Sequence, residues 1–287
     1  METAKFCRFH YVMAQAMKAK NELAPAPNAS RGCLRVRLAQ SPDDVRAAQR
    51  LRFEVFHDEM GARLPQTAVS MRMDVDAYDA IADHLLVEHE TAGGLDVVGT
   101  YRLLRQSVAD SRGGFYTSGE FDLSALLEHA HDTGGSLLEL GRSCVAPAFR
   151  NSATIQLLWR GIADYLDTHH ITHMFGCASF HGTDPSVHAE ALSHLHHHLL
   201  APPHLRARAL PAGCMDMNML ALGSYDRTAA LRGLPPLVKG YLRVGALVGD
   251  GAWIDEAFGT IDIFVVMPVD TIASRYSSRF TGFRIAA

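Results

Sequence analysis

The chain has 287 residues, 48% of them hydrophobic and 20% charged, and a formal net charge of −4. That length and apolar content suit one large domain, or one domain with an extension, and the acidic balance argues against a general nucleic-acid binder. The cysteines, Cys7, Cys33, Cys144, Cys177 and Cys214, are odd in number and contain no CxxC, and no apolar run reaches 18 residues. A disulfide scaffold and a transmembrane helix are therefore not expected. No secretory signal is read at the N-terminus. The expected setting is the cytoplasm, with room for a peripheral contact at the inner face of the membrane.

Residues 1–32 read as an extension: a short basic helix, two breaking prolines (Pro25 and Pro27), then a linker. The main domain is expected over 33–287. Its first strand is 34–38, by alternation. A helix follows, with Ser41 as cap, Pro42 at the first position and acids in the first turn, ending near Gly61. An acid-rich loop holds Asp74, Asp76 and Asp79. Strands at 84–89 and 95–105 flank Gly93 and Gly94 as a hairpin. A short helix at 121–130 precedes an apolar strand at 137–145, interrupted by Glu139 and Arg142. Next come a helix from 152 to 168, a buried strand at 171–180, and a helix capped by Asp184 and opened by Pro185. A Met-rich apolar stretch (214–222), a helix from Pro235 to about 244 and a last strand (260–267) complete a mixed α/β series on one sheet.

The strand at 137–145 is the centre of this order. A step of three puts Glu139 and Arg142 on opposite faces of a regular strand, and a bulge or kink near Gly141 brings them to one side. The strand, the loop after it and the next helix N-terminus form a setting for a phosphate, although the loop Arg150-Asn151-Ser-Ala-Thr154 lacks glycines. Arg102 stands inside an apolar strand, where an unpaired charge is costly, so it needs a carboxylate partner from the acid loop or from a substrate. Acids and arginines in one pocket suit an amino acid, which carries both ammonium and carboxylate. Cys144 reads as a buried small hydrophobe, and Ser143 has no triad setting. No HExxH or comparable ligand set is present, and no metal is expected. The apolar run 261–267 reads as core, or as the lining of an acyl tunnel.

With these residues assembled, the chain resembles the bacterial L-ornithine Nα-acyltransferases of ornithine-lipid synthesis, within the GNAT-like acyltransferase superfamily. The matching words are Leu51-Arg-Phe-Glu-Val-Phe56, Asp76-x-Tyr78-Asp79, Val98-Gly-Thr-Tyr-Arg-Leu-Leu104 and Glu139-Leu-Gly-Arg-Ser-Cys-Val145. Further matches are Leu158-Trp-Arg-Gly-Ile162, Phe175-Gly-Cys-Ala-Ser-Phe180, Leu192-Ser-His-Leu-His-His197 and Leu234-Pro-Pro-Leu-Val-Lys-Gly-Tyr-Leu-Arg243. A more distant likeness is to acyl-homoserine-lactone synthases.

The resemblance implies a GNAT-like fold and a 3-hydroxyacyl chain delivered on the phosphopantetheine arm of acyl carrier protein. It implies L-ornithine as acceptor and no permanently bound cofactor. The missing glycine-rich signature fits a carrier-protein arm better than coenzyme A. On this reading Glu139 is the base, Arg102 and Arg142 receive the substrate carboxylate, and Asp74, Asp76 and Asp79 receive its ammonium groups. Arg52 ties down the acid loop or helps to bind. Backbone N–H groups at Ser143, Cys144 and Val145 stabilise the thioester oxyanion, and the helix start at Arg150 and Asn151 receives the pantetheine phosphate. Attachment of a second, ester-linked chain is not expected, because no His is followed five residues later by Asp. Two other readings stay open: a homoserine-lactone-type synthase using S-adenosylmethionine, and a non-catalytic module binding acyl chains or carrier protein.

Overall fold

Strand β1 (Leu34–Leu38) pairs antiparallel with β2 (Asp83–Thr91), which turns through Ala92 and Gly93 into β3 (Gly94–Arg105), one residue earlier than the expected turn at Gly93 and Gly94. The computed structural model describes residues 33–271. The extension and short helix expected within 1–32 lie outside them.

Helix α1 (Pro42–Phe53) starts as its sequence dictates. Ser41 Oγ accepts from the Asp44 N–H at 3.2 Å, the Asp44 carboxylate accepts from the Ser41 N–H at 3.1 Å, and Pro42 opens the first turn. The expected single helix to Gly61 changes type: Glu54–Glu59 is a π-helix. The Met60 N–H bonds Val55 O at 3.0 Å, five residues back, which is the bond of the wider turn.

The remaining strands are β4 (Phe121–Asp122), β5 (Leu137–Val145), β6 (His173–His181), β7 (Arg208–Ala209), β8 (Cys214–Met215), β9 (Leu247–Asp255) and β10 (Thr260–Pro268). They form one ten-stranded sheet in the order β1-β2-β3-β5-β6-β10-β9-β7-β4, with β8 attached to β9. Most pairings are antiparallel; β5 with β6 and a single bridge of β7 with β9 are parallel. The main helices after α1 are α2 (Ser124–Thr133), α3 (Ser152–Thr168), α4 (Ala189–Leu199), α5 (Arg227–Gly233) and α6 (Pro236–Arg243).

Strand β9 was not expected from the sequence. Its glycines break the apolar alternation, and the structure shows why one is there: a Cβ on Gly249 would lie 2.7 Å from the Ala207 carbonyl oxygen. The Met-rich stretch supplies only the two-residue β8.

Alternation divides the core. Leu138 and Leu140 face one way, with Leu158, Trp159 and Ile162 of α3. Leu137 faces the other way, with Leu126 of α2, Phe175 and Phe264. Glu139 shares the Leu137 face.

The feature that makes a site is where β5 and β6 part. Their parallel register covers only Leu137↔His173, Leu138↔Met174 and Glu139↔Phe175. At the next step Gly176 lies so close to β5 that a Cβ there would fall 2.2 Å from the Leu140 carbonyl oxygen. Both strands continue beyond this point without pairing to each other, and a cleft opens between them.

Candidate active site

The cleft is a cavity of about 420 Å³. One wall is Leu140–Val145 of β5, and the facing wall is Cys177, Ala178 and Ser179 of β6. The π-helix contributes Val55 and Phe56. The cavity therefore lies along β5, the strand expected at the centre of the order.

Arg142 owes its direction to a bulge. In the β3–β5 register Arg102 faces Gly141 and Thr100 faces Cys144, so Arg142 and Ser143 together oppose Tyr101. Arg142 takes the left-handed backbone conformation, with φ of 49°. The extra residue reverses the alternation, and Glu139 and Arg142 both line the cavity. The bulge expected near Gly141 is thus one residue further along.

Glu139 is 4% exposed. Its Oε1 accepts the Thr117 N–H at 2.6 Å and its Oε2 accepts the Tyr116 N–H at 3.1 Å. Burial pushes its carboxyl above the usual range, opposed by those bonds and by Arg102. Residues Tyr116–Gly119 form a 3₁₀ turn whose first N–H groups are the donors, so the turn and the carboxylate fix each other.

The acid loop and the arginines form one ion-pair network. Arg52, 1% exposed, donates from Nε to Asp74 Oδ2 at 2.8 Å and from Nη1 and Nη2 to the Asp79 carboxylate at 2.8 and 2.7 Å. It also donates to the Asp74 carbonyl. Arg102 donates to both Asp76 carboxylate oxygens at 2.6 and 2.7 Å. Arg142 donates to Asp74 Oδ2 at 3.2 Å and to Asp76 Oδ2 at 3.1 Å. Burial alone would raise the Asp79 carboxyl, but Arg52 and Arg102 bring it well below the usual range. Arg102 and Arg142 line the cavity, whereas Arg52 and the three aspartates stand behind them. Tyr116 is shared between the two cavity arginines: the Arg102 guanidinium lies 5.3 Å and that of Arg142 4.8 Å from its ring centre.

Ser143, Cys144, Val145 and Arg150, expected to meet the acyl donor, also line the cavity. Cys144 is buried against Leu51 and Val55, and burial pushes its thiol up to about 12. Arg150 pairs with Glu59 through two 2.6 Å bonds and donates to the Val145 carbonyl at 3.0 Å. Asn151 caps α3, accepting from the Ala153 and Thr154 N–H groups at 3.0 and 3.2 Å. The helix start is thus already partly satisfied within the chain.

The sequence reading missed Tyr116, Thr117, Glu120, Asp255 and Asp262. Burial and Asp262 push the Glu120 carboxyl up to about 8, and burial and Asp255 push Asp262 up to about 6. A signal for Asp262 was present. It interrupts the run Ile261-Asp-Ile-Phe-Val-Val as Arg102 interrupts its own strand, and a charge there needs a reason.

The description "Acetyltransferase (GNAT) domain" fits a family model that matches residues 51–160. An L-ornithine N(alpha)-acyltransferase of Brucella abortus (strain 2308) is 47% identical over 253 residues, covering 87% of this chain and 89% of the relative. One of Agrobacterium fabrum (strain C58 / ATCC 33970) is 45% identical over 254 residues, covering 88% and 86%. Among solved structures, the AHL synthase LasI is 13% identical with a TM-score of 0.45, covering 83% of this chain and 91% of that one. Identity of this order over 87–88% of the chain places it in the family of the L-ornithine N(alpha)-acyltransferases, N-acyltransferases with a GNAT fold.

Proposed function

We propose that the protein carries out the first step of ornithine-lipid biosynthesis. It transfers a 3-hydroxyacyl chain from acyl carrier protein to the α-amino group of L-ornithine and releases lyso-ornithine lipid. The observation that carries this reading is the cleft between β5 and β6, with the buried Glu139 and the Arg142 guanidinium on the wall that a thioester would face. The kinship with ornithine acyltransferases supports the choice of acceptor.

The reaction is attack of a neutral amine on a thioester. If the ammonium pKa lies about two units above the working pH, deprotonation costs about 2.7 kcal/mol. Glu139 takes that proton, directly or through one water; its raised carboxyl is a better acceptor than an exposed glutamate. The amine nitrogen bonds the carbonyl carbon, the oxyanion rests on backbone N–H groups of 143–145, and the C–S bond breaks. The attacking nitrogen gives up its second proton to become an amide, and that proton goes to the departing thiolate.

Arg142, backed by Arg102, receives the substrate carboxylate. Asp74, Asp76 and Asp79, expected to receive the ammonium groups, are instead paired with Arg52, Arg102 and Arg142, which supports a part for them in holding the arginines, with Arg52 holding the aspartates. Arg150, in exchange for its bond to Glu59, and the helix start at Asn151 meet the pantetheine phosphate. The donor is acyl carrier protein rather than coenzyme A, because the loop after β5 lacks a glycine-rich cradle. Among the described residues no helix is long and apolar enough to cross a membrane.

A comparison of wild type with Glu139→Gln, using 3-hydroxyacyl carrier protein and ornithine, tests the assignment. Turnover is expected to fall roughly 10²- to 10⁴-fold while carrier-protein binding persists. Unchanged turnover would remove Glu139 as the base. No turnover from folded wild type would favour a binding module.

A further inference from the structure

The same cavity has a second, acidic end that the proposed chemistry does not use. Asp255, Thr260 and Asp262 line it, and Glu120 closes behind them. Carboxylate oxygens of Glu120, Asp255 and Asp262 lie within 4.8 Å of one another. The topology explains the meeting. Asp262 is opposite Ser179 of β6 and Trp253 of β9, Thr260 is opposite Asp255, and Glu120 immediately precedes β4.

No cation of the described chain pairs directly with this trio, and the Arg142 guanidinium only partly offsets the charge of Glu120 and Asp262. None of the three carboxylates pairs with an Arg, Lys or His, in contrast to the fully paired aspartates beside Arg52 and Arg102. Asp255 Oδ1 accepts the Ala257 and Phe258 N–H groups, and Glu120 Oε2 accepts the Cys177 thiol at 3.2 Å. Thr260, 3% exposed, has no hydrogen bond of good geometry at Oγ1, and Asp262, 6% exposed, has none at Oδ1, although the Thr260 and Ser179 hydroxyls lie near enough to the Asp262 carboxylate to ease its charge. Buried polar atoms are rarely left so, and their usual explanation is a partner outside the chain.

We infer that Glu120, Asp255, Asp262 and the Thr260 hydroxyl form the subsite for the side-chain ammonium of a diamino-acid acceptor. The inference rests on the proposed function and adds what distinguishes the acceptor from other amino acids. An alkylammonium group has three N–H donors and no acceptor, which matches three carboxylates. The acceptor then lies along the cavity, its carboxylate toward Arg142, its reacting amine toward Glu139 and its far amine in the acid trio. The raised carboxyls of Glu120 and Asp262 fit this, since they describe a site lacking its cation. A site that requires a hydrogen-bonding group discriminates strongly against an analogue lacking it, because its own polar atoms would stay unpaired.

The test compares ornithine with norvaline, which has the same carbon chain without the far amine. Wild type, Asp262→Asn and Glu120→Gln are assayed for kcat/KM with both acceptors, and binding of both to the free proteins is measured by calorimetry. Wild type is expected to prefer ornithine, and each variant to lose roughly 10- to 100-fold of that preference. Equal losses with both acceptors would give the trio a structural or base role and overturn the subsite. So would turnover that requires a divalent cation and is abolished by a chelator. Ornithine binding that depends on Asp262, without any turnover, would support the subsite and sink the acyl-transfer reading. Ornithine turnover without preference over norvaline would do the reverse. A protein that neither binds nor turns over ornithine would end both.

Discussion

Arg52 and Arg142 donate to the same oxygen, Asp74 Oδ2, at 2.8 and 3.2 Å. One arginine comes from α1 and the other from the bulge of β5. Asp74 is 2% exposed and carries the junction between them. The position of the cavity guanidinium is thus set from behind, by a helix that does not touch the cavity through Arg52.

Removing Arg52 leaves Asp74 and Asp79 buried without their main partner. Arg52→Ala is expected to cost about 3–5 kcal/mol of stability, the usual result of breaking a buried pair from one side. Arg52→Lys is expected to recover little of it, because a single ammonium cannot reproduce a fork that binds two carboxylates. Chemical denaturation of the three proteins measures this; a loss under 1 kcal/mol for Arg52→Ala would show that the network is not needed for the fold.

Cys144 lines the cavity near the expected thioester, which makes covalent catalysis a fair rival. Its burial and a thiol pushed up to about 12 argue for a packing role. Cys144→Ala is expected to keep acyl transfer within about tenfold of wild type, with a stability loss of order 1 kcal/mol from the lost buried volume. Mass spectrometry of the protein during turnover should show no acyl-enzyme. A trapped acyl adduct at Cys144 would overturn the direct-attack mechanism.

The acid trio predicts an unusual dependence of stability on pH. The raised carboxyls, about 8 for Glu120 and about 6 for Asp262, bind protons in the folded state that the unfolded chain has already released. Their favourable contribution is full below the ordinary carboxylate range and is lost as pH rises through about 6 and then about 8. Asp79 works in the opposite sense: its depressed carboxyl stabilises above the ordinary range, and that is lost in acid. His84, His169, His173 and His194, held below the usual imidazole range by burial, act in the opposite sense at the low end of this window, so the test is a difference: between pH 6 and 8 the Tm of wild type should fall relative to that of Glu120→Gln. A Tm difference between the two proteins that stays constant over that window would contradict the assignment.

Much of this was legible in the sequence, and the reasons are local. The Ser41-Pro42-Asp43-Asp44 start, the hairpin around Gly93 and the β5 strand each carry their own signals and are found in the structure, the hairpin turn falling on Ala92 and Gly93. Arg102 had to find a carboxylate, and it finds Asp76. What the sequence concealed depends on register and distance. Glu120, Asp255 and Asp262 come from three separate elements, and only the adjacency of β6, β10 and β9 brings them together. The Tyr116–Gly119 turn that holds Glu139 has no periodicity to announce it. Asn151 and Arg150 suggested a free helix start, while Asn151 proves to cap that helix and Arg150 to bind Glu59.

The most direct test of the central claim is the product itself. Purified protein is incubated with 3-hydroxyacyl carrier protein and ornithine, with parallel tubes containing 3-hydroxyacyl coenzyme A, lysine and S-adenosylmethionine, and the products are identified by tandem mass spectrometry. The expected product is Nα-(3-hydroxyacyl)-ornithine, formed fastest from the carrier-protein donor, with the acyl chain on the α-nitrogen. A chain on the side-chain nitrogen, or product only in the tube with S-adenosylmethionine, would contradict it.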